Sequence, residues 1–225
     1  MIEIEVKISL HTGSASPDLC RNCIDISNNF TDVKNDQKSP INDKITQVRD
    51  ILEADGFSYV CTMDEYDQYY NAPDHDFRNT GEAMRLRKSR NMDTGRTEIT
   101  WNYKGSKLDT VSMTRHEYET SIGSYEIGEK ILDALGFSKQ IPVHKQRVYY
   151  KKNEISVYMD QVDGLGQFME IEILAGTDDQ YQACMARIQK VLAITGYTMK
   201  DSITRSYLSM LQAKSSNPDN CKACP

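Results

Sequence analysis

Glu3-Ile4-Glu5-Val6-Lys7 puts two carboxylates and an ammonium on one face of a strand, because strand side chains alternate with a period of two. Ile2, Ile4, Val6 and Ile8 take the opposite face. The same spacing returns in Arg85/Arg87, Arg115/Glu117/Glu119, Lys145/Arg147 and Glu170/Glu172. Charges of both signs therefore collect repeatedly on one side of a sheet.

Working outward, alternation predicts further strands at Asp67 to Asn71, Glu82 to Lys88, Thr97 to Lys104, Ser112 to Glu119, His144 to Tyr150, Ile155 to Asp160 and Gln167 to Leu174. With the opening strand these make eight, mostly joined as antiparallel hairpins; the turn Asn91–Gly95 joins one pair, and Gly164-Leu165-Gly166 another. Three helix ends share a pattern: Ile51-Leu-Glu-Ala-Asp-Gly-Phe-Ser58, Ile131-Leu-Asp-Ala-Leu-Gly-Phe-Ser138 and, more faintly, Val191-Leu-Ala-Ile-Thr-Gly-Tyr-Thr198. Each reads as the last turn of an amphipathic helix closed by glycine. Each also follows a Glu-x-Glu strand, so charged strand, helix and glycine stop form a repeating unit.

The first unit is longer than the others. Residues 11–44, rich in Asn, Asp, Ser and Lys, read as an insertion between the first strand and its helix. The expected organisation is one domain over residues 1–211, with that insertion, and a flexible tail over 212–225. With 225 residues, 39% hydrophobic content and a net charge of −6, the composition argues against a general nucleic-acid binder, and no stretch has the apolar length of a membrane helix. The start of the sequence lacks a basic and apolar leader pattern, which makes the cytoplasm the expected compartment.

The apolar strand faces (Ile2/Ile4/Val6, Met84/Leu86, Ile155/Val157/Met159, Met169/Ile171/Ile173) need cover, and the three helices can supply it. The charged faces then look at one another. The fold class expected is α+β, an eight-stranded antiparallel closed barrel with helices packed outside. A barrel of this size can hold one small ligand. The bland alternative is an open sheet whose charged face is solvated. A membrane barrel has a polar lumen too, but needs longer strands and aromatic girdles.

Charges crowded into a cavity need a ligand to neutralise them. Lys7, Arg85, Arg87, Lys104, Arg115, Lys145 and Arg147 suit a polyanion, since arginine forks bind phosphate and lysine adds a compact charge. Glu3, Glu5, Asp160, Glu170 and Glu172 would repel that anion unless a hard divalent cation bridged them to it. Carboxylate oxygens suit Mg²⁺ or Mn²⁺. A metal-bound triphosphate meets both demands.

Glu3-x-Glu5-x-Lys7, Gly81-Glu-Ala-Met-Arg-Leu-Arg87, Tyr103-Lys104-Gly105, Arg115-x-Glu117-x-Glu119, Lys145-x-Arg147, Asp160-Gln-Val-Asp-Gly-Leu-Gly166, Glu170-x-Glu172 and Ser206-Tyr-Leu together resemble the CYTH, or triphosphate tunnel metalloenzyme, superfamily. Asp76-Phe-Arg-Asn-Thr-Gly81 and the Tyr103 to Asp109 loop bring it nearest the class IV adenylate cyclases. The resemblance implies an eight-stranded tunnel that takes a triphosphate with Mg²⁺ or Mn²⁺. It implies metal ligands among Glu3, Glu5, Asp160, Glu170 and Glu172, and phosphate contacts from Lys7, Arg85, Arg87, Lys104, Arg115, Lys145 and Arg147. Lys7 and Lys145 are the candidate catalytic residues. Glu117 and Glu119 would bind metal or orient neighbouring cations.

Three functions compete: an adenylate cyclase making cyclic AMP and pyrophosphate from ATP, a triphosphatase acting on inorganic or thiamine triphosphate, and a non-catalytic polyphosphate or nucleotide binder. The acids disfavour the last, because binding alone could rely on the cations. The expected partner is a small-molecule triphosphate, with no nucleic acid and no membrane; a homodimer is left open. No phosphate-loop or nucleophile-turn signature is present. His75 reads as a residue of a polar loop, and His116, opposite Arg115 and Glu117, as lying outside the tunnel. Of six cysteines, Cys61 and Cys184 read as packed or idle thiols. The pairs Cys20/Cys23 and Cys221/Cys224 have the spacing of a structural Zn²⁺ site, against the alternative of plain thiols or an adventitious disulfide.

Overall fold

Alternating strands whose apolar faces all need cover can satisfy themselves by closing into a barrel, and this chain does so. The structure, a computed structural model, describes residues 2–10, 40–108 and 112–216. Its elements run β1 (Ile2–Ser9), α1 (Pro40–Ala54), β2 (Ser58–Asn71), α2 (Phe77–Thr80), β3 (Ala83–Asn91), β4 (Thr97–Lys107), β5 (Arg115–Ser121), α3 (Tyr125–Ala134), β6 (Ser138–Lys139), β7 (Val143–Lys152), β8 (Ile155–Val162), β9 (Gly166–Ala175), α4 (Tyr181–Ile194) and α5 (Tyr207–Ser215). In space the order is β1-β9-β8-β7-β2-β3-β4-β5, and β5 returns to β1 to close an antiparallel eight-stranded barrel. The short β6 is an addition at the end of β2.

The helices lie outside, as the apolar faces require. Val48 and Leu52 of α1 and Ile188, Val191 and Leu192 of α4 pack on Ile4, Val6, Val157, Met159, Met169, Ile171 and Ile173. Leu132 of α3 covers Tyr70, Met84 and Leu86. Full burial of each such aliphatic side chain is worth about 1.5–3 kcal/mol. The repeated glycine stops are Schellman caps. Gly56, Gly136 and Gly196 have φ of 86°, 83° and 84°. The residue after each glycine donates its N–H to the carbonyl five residues back, as Phe57 does to Leu52, Phe137 to Leu132 and Tyr197 to Leu192. The cap turns the chain back and seats an aromatic residue after each helix.

Helix α5 lies across one end of the barrel. Its Tyr207, Leu208 and Leu211 pack with Tyr69, Val143, Val162 and Phe168, all inward-facing at that end. The tail was expected to begin at 212, but the helix runs to Ser215. Gln212 Nε2 donates to Gln140 Oε1 at 3.3 Å and Lys214 Nζ to the Gly164 carbonyl at 2.9 Å, which tie the last turn down. Likewise α1 starts at Pro40, inside the segment read as an insertion, with proline at its first position. The rest of that insertion, and both Cys-x-x-Cys pairs, lie outside the described residues. Cys61 and Cys184 are free and buried.

One strand is longer than expected. β2 begins at Ser58, not Asp67, and pairs with β7 from Ser58 to Asp67 and with β3 from Met63 to Tyr70. A register shift between Tyr59 and Cys61 breaks its alternation, and Cys61-Thr62-Met63 carries no clean polar face. Among the described residues, no helix is long and apolar enough to cross a membrane.

Candidate active site

Every residue of β1 from Ile2 to Ile8 is buried, on both faces. One face lies under α1 and α4. The other points into a tunnel of about 1020 Å³, lined by charges from β1, β3, β4, β5, β7 and β9. The closed barrel sets this arrangement: register pairs Glu5 with Glu172 and Lys7 with Glu170 across β1 and β9, and Arg147 with Asp160 across β7 and β8.

The cations are held from behind by acids that do not line the cavity. Asp67, 1% exposed, receives Arg87 Nε at 2.6 Å, Arg87 Nη2 at 2.8 Å and Arg85 Nη1 at 3.2 Å. Glu65 lies 3.3 Å from Arg87 Nη1 and 3.2 Å from Lys145 Nζ. Asp160 takes both arms of Arg147, at 2.7 and 2.5 Å, and the Tyr207 hydroxyl at 2.9 Å. Burial alone would push these carboxyls up. At Glu65 the charges of Arg87, Lys145 and Arg147 outweigh it and bring the pKa down to about 2. At Asp67 burial is likewise outweighed, by Arg87, Arg85 and Lys145, and its pKa falls further. The Arg147 guanidinium also reaches Glu170 and lies 4.2 Å from the centre of the Tyr158 ring.

A second group of contacts faces the lumen. Lys7 Nζ sits 3.1 Å from Glu170 and 3.5 Å from Glu5. Burial works against its charge, but Glu170 and Glu5 more than offset that and keep the pKa above the usual value. Lys104 bridges Glu3, at 2.9 Å, and Glu117. Asn102 donates to Glu117 at 3.2 Å.

What remains is charge of both signs that its neighbours satisfy incompletely. Glu5 Oε1 is buried without a hydrogen-bond partner. Burial and the charge of Glu170 push its carboxyl up to about 7, despite Lys7. Glu172 is raised well above the usual range by burial, with Glu3 and Glu5 adding to it. Glu3 is raised by burial and by Glu117, against Lys104. Opposite in sign, Arg115 is 5% exposed, donates to the carbonyls of Met113 and Gly81, each at 3.3 Å, and has no ion pair among the described residues. Arg85 Nε is a further buried donor without a partner. Buried charges left this way are costly, and a ligand carrying both signs would satisfy them.

The carboxylates fit a divalent cation by chemistry: hard oxygen donors, one orphaned, crowded enough to resist ionising together. Among the described residues no three His, Cys, Asp or Glu side chains are already arranged to hold a metal ion; the glutamates are turned onto lysines instead.

Of the residues singled out from sequence, Glu3, Glu5, Lys7, Arg85, Arg87, Lys104, Arg115, Lys145, Arg147, Glu170 and Glu172 come together around the cavity. Asp160 stands behind Arg147 rather than on the lumen. Glu119 is exposed at the rim and His116 is exposed outside. His75 lies exposed in its loop, held between Asp74 and Glu82. Sequence reading missed Glu65, Asp67, Asn102 and Tyr158, and gave no role to Tyr207 of the Ser206-Tyr-Leu motif. Glu65-x-Asp67 carries the same i, i+2 signal as the others; the irregular start of β2 hid it.

A closed barrel whose staves send arginines, lysines and glutamates inward defines a charged-tunnel protein, and the sequence places it in a known group. The chain belongs to the CYTH domain family, whose model matches residues 33–207. That match starts after β1, so it is the β1–β9 register that joins Glu3, Glu5 and Lys7 to the family's segment. A protein of Methanocaldococcus jannaschii, named provisionally as an adenylate cyclase, is 34% identical over 173 residues, covering 77% of this chain and 95% of the relative. Among solved structures, a protein of Pyrococcus horikoshii OT3 superposes with a TM-score of 0.73 at 28% identity, covering 94% of this chain and 99% of the other. A Hippeastrum protein described as an adenylyl cyclase candidate with a dominant triphosphatase activity has a TM-score of 0.54 at 15% identity, covering 95% of each chain.

Proposed function

We propose that this chain is a metal-dependent enzyme acting on a triphosphate, and that its reaction is the conversion of ATP to cyclic AMP and pyrophosphate. The carrying observation is the pair of unmet demands in one tunnel: buried Arg115 with no ion pair among the described residues, and the raised carboxyls of Glu5 and Glu172, which Lys7 at 3.5 Å from Glu5 does not relieve. A triphosphate with Mg²⁺ or Mn²⁺ answers both. The name of the Methanocaldococcus relative supports the cyclase reading.

In this reading Arg85, Arg87, Arg115, Lys145 and Arg147 bind and orient the phosphates. Glu65, Asp67 and Asp160 fix those cations in place, so little reorganisation is needed when the anion arrives. Glu3, Glu5, Glu170 and Glu172 would hold the divalent ion, which when bound supplies Lewis-acid polarisation of phosphoryl oxygens. The bond from the ribose 3′ oxygen to the α-phosphorus forms as the bond from that phosphorus to the bridging oxygen breaks. Pyrophosphate leaves with the electron pair, and the hydroxyl proton passes to solvent. Lys7 and Lys145 stabilise the charge that builds on the departing pyrophosphate.

The second reading is hydrolysis of the terminal phosphate, favoured by the triphosphatase activity described for the Hippeastrum fold relative. The two differ in which phosphorus meets the nucleophile. Incubation with Mn²⁺ and either ATP or inorganic triphosphate, with products separated by chromatography, decides between them. Cyclic AMP with pyrophosphate supports the cyclase; orthophosphate from inorganic triphosphate supports the triphosphatase. No turnover of either would overturn both.

A further inference from the structure

Helix α5 does more than cover the end of the barrel, because one of its side chains meets two of the tunnel's cations and the carboxylate that holds a third. The Tyr207 ring lies 4.2 Å from Lys7 Nζ and 5.5 Å from Lys145 Nζ, measured to its centroid. Its hydroxyl donates to Asp160 Oδ2 at 2.9 Å, on the oxygen that also takes Arg147 Nη2. Phe168 meets the ring edge-on at 5.0 Å and 60°, which fixes its plane. The residue is 5% exposed. A cation over an aromatic face is attracted by the ring quadrupole, and more strongly where water is excluded.

We infer that Tyr207 is a positioning residue for the triphosphate site: it sets Lys7 and Lys145 through its ring and Arg147 through Asp160. This role rests on the triphosphate reading above. Anchoring of α5 itself is shared out differently. Leu208, Met210 and Leu211 pack against the apolar cluster at the barrel end, and Ser206 caps the helix by accepting from the Ser209 N–H at 3.1 Å. The neighbouring backbone adds one contact to the same cation, since Lys7 Nζ donates to the Arg205 carbonyl at 3.5 Å. Tyr207 is thus placed to link the seating of α5 to the spacing of cations on β1 and β7, beside the Glu170 carboxylate that Lys7 and Arg147 share.

Three variants separate positioning from simple docking. Tyr207→Phe removes only the hydroxyl, Tyr207→Leu removes the hydroxyl and the ring face, and Leu211→Ala loosens α5 while leaving every cation contact in place. Affinity for inorganic triphosphate is measured by calorimetry with and without Mn²⁺, beside KM, kcat and the melting temperature. Tyr207→Phe should weaken triphosphate binding and raise KM about tenfold, the size expected for one hydrogen bond to a charged group. Tyr207→Leu should weaken it further, with kcat changed less than KM. Leu211→Ala should lower the melting temperature and leave KM near that of wild type. Wild-type KM in both tyrosine variants, or an equal KM rise in Leu211→Ala, overturns the positioning role while leaving the triphosphate reading intact. Failure of the wild-type protein to bind or turn over any triphosphate overturns that reading, and this role with it.

Discussion

Glu5 and Glu172 stand directly opposite each other on neighbouring antiparallel strands. Like charges in that position destabilise a sheet. Here Glu5 is buried and Glu172 half-buried, and Glu5 Oε1 accepts no hydrogen bond. The metal-free tunnel is therefore under electrostatic strain at this one place. Glu172→Gln should stabilise the metal-free protein by about 1 kcal/mol at pH 8, seen as a higher urea midpoint in the presence of chelator. A loss of stability would mean that Glu172 has a favourable partner.

The same substitution should do the opposite to function. Glu5→Gln and Glu172→Gln are each expected to lower metal-dependent turnover by roughly a hundredfold or more, with far-ultraviolet circular dichroism unchanged. Thermal shifts induced by Mn²⁺ should shrink in parallel. Wild-type turnover in both variants would show that these carboxylates are not the metal's ligands.

Asp67 serves Arg85 and Arg87 at once, so its removal leaves buried guanidiniums without a counter-charge. Asp67→Ala should cost about 3–5 kcal/mol, read from urea denaturation. Asp160→Ala should show a smaller effect, because Arg147 keeps Glu170 and the Tyr158 face.

Acid should undo the support of the cations before it unfolds the outer core. Glu65 titrates near 2 when folded, against about 4.5 when unfolded, because Arg87, Lys145 and Arg147 outweigh the cost of its burial. Asp67 is depressed further for a like reason. Between those values the unfolded chain binds more protons, so the stability these groups contribute is complete above about pH 4.5 and is lost as the pH falls toward 2. The urea midpoint should drop over that window, and Glu65→Gln with Asp67→Asn should flatten the slope. An equally steep slope in the double variant would assign the acid sensitivity elsewhere.

Gly128 lies on the buried face of α3, where an added Cβ would stand 2.8 Å from Ile122 Cδ1 and 3.2 Å from Leu86 Cδ1. Gly128→Ala should destabilise the fold by about 1–3 kcal/mol through overpacking, although alanine is the better helix former. Adding Ile122→Val, which deletes the clashing methyl, should recover much of the loss in thermal melts.

Much of this was legible in the chain. Period-two charge patterning named the tunnel wall because β1, β3, β7 and β9 are regular and each exposes one face to a single environment. The glycine stops were legible because a Schellman cap needs a left-handed residue at a fixed place, as at Gly136. Glu65 and Asp67 escaped because the bulge near Tyr59 disrupts the pattern just where β2 begins. Tyr207 was legible as part of the Ser206-Tyr-Leu motif, but its role was not. Its meaning lies in contacts to Lys7 and Asp160, far away in sequence, and no local spacing encodes those. Asp160 was legible as a tunnel-strand acid, but whether such an acid faces a lumen or backs an arginine depends on the side chain across the ladder.

The seam of the barrel also carries a consequence for how the protein comes into being. Among the described residues β1 pairs with β5 at two positions, Ile2 with His116 and Glu3 with Arg115, whereas it meets β9 along its whole length. Of the barrel strands, a ribosome delivers β1 first and β9 last. The opening strand must wait through the synthesis of seven others before its main partner exists, a long-range pairing of the kind that slows folding. Closure of the ring and assembly of the glutamate cluster therefore depend on the same strand pairing. Any ligand that bridges β1 to β9 acts as a clasp on the finished ring, and should slow its unfolding more than it speeds its folding.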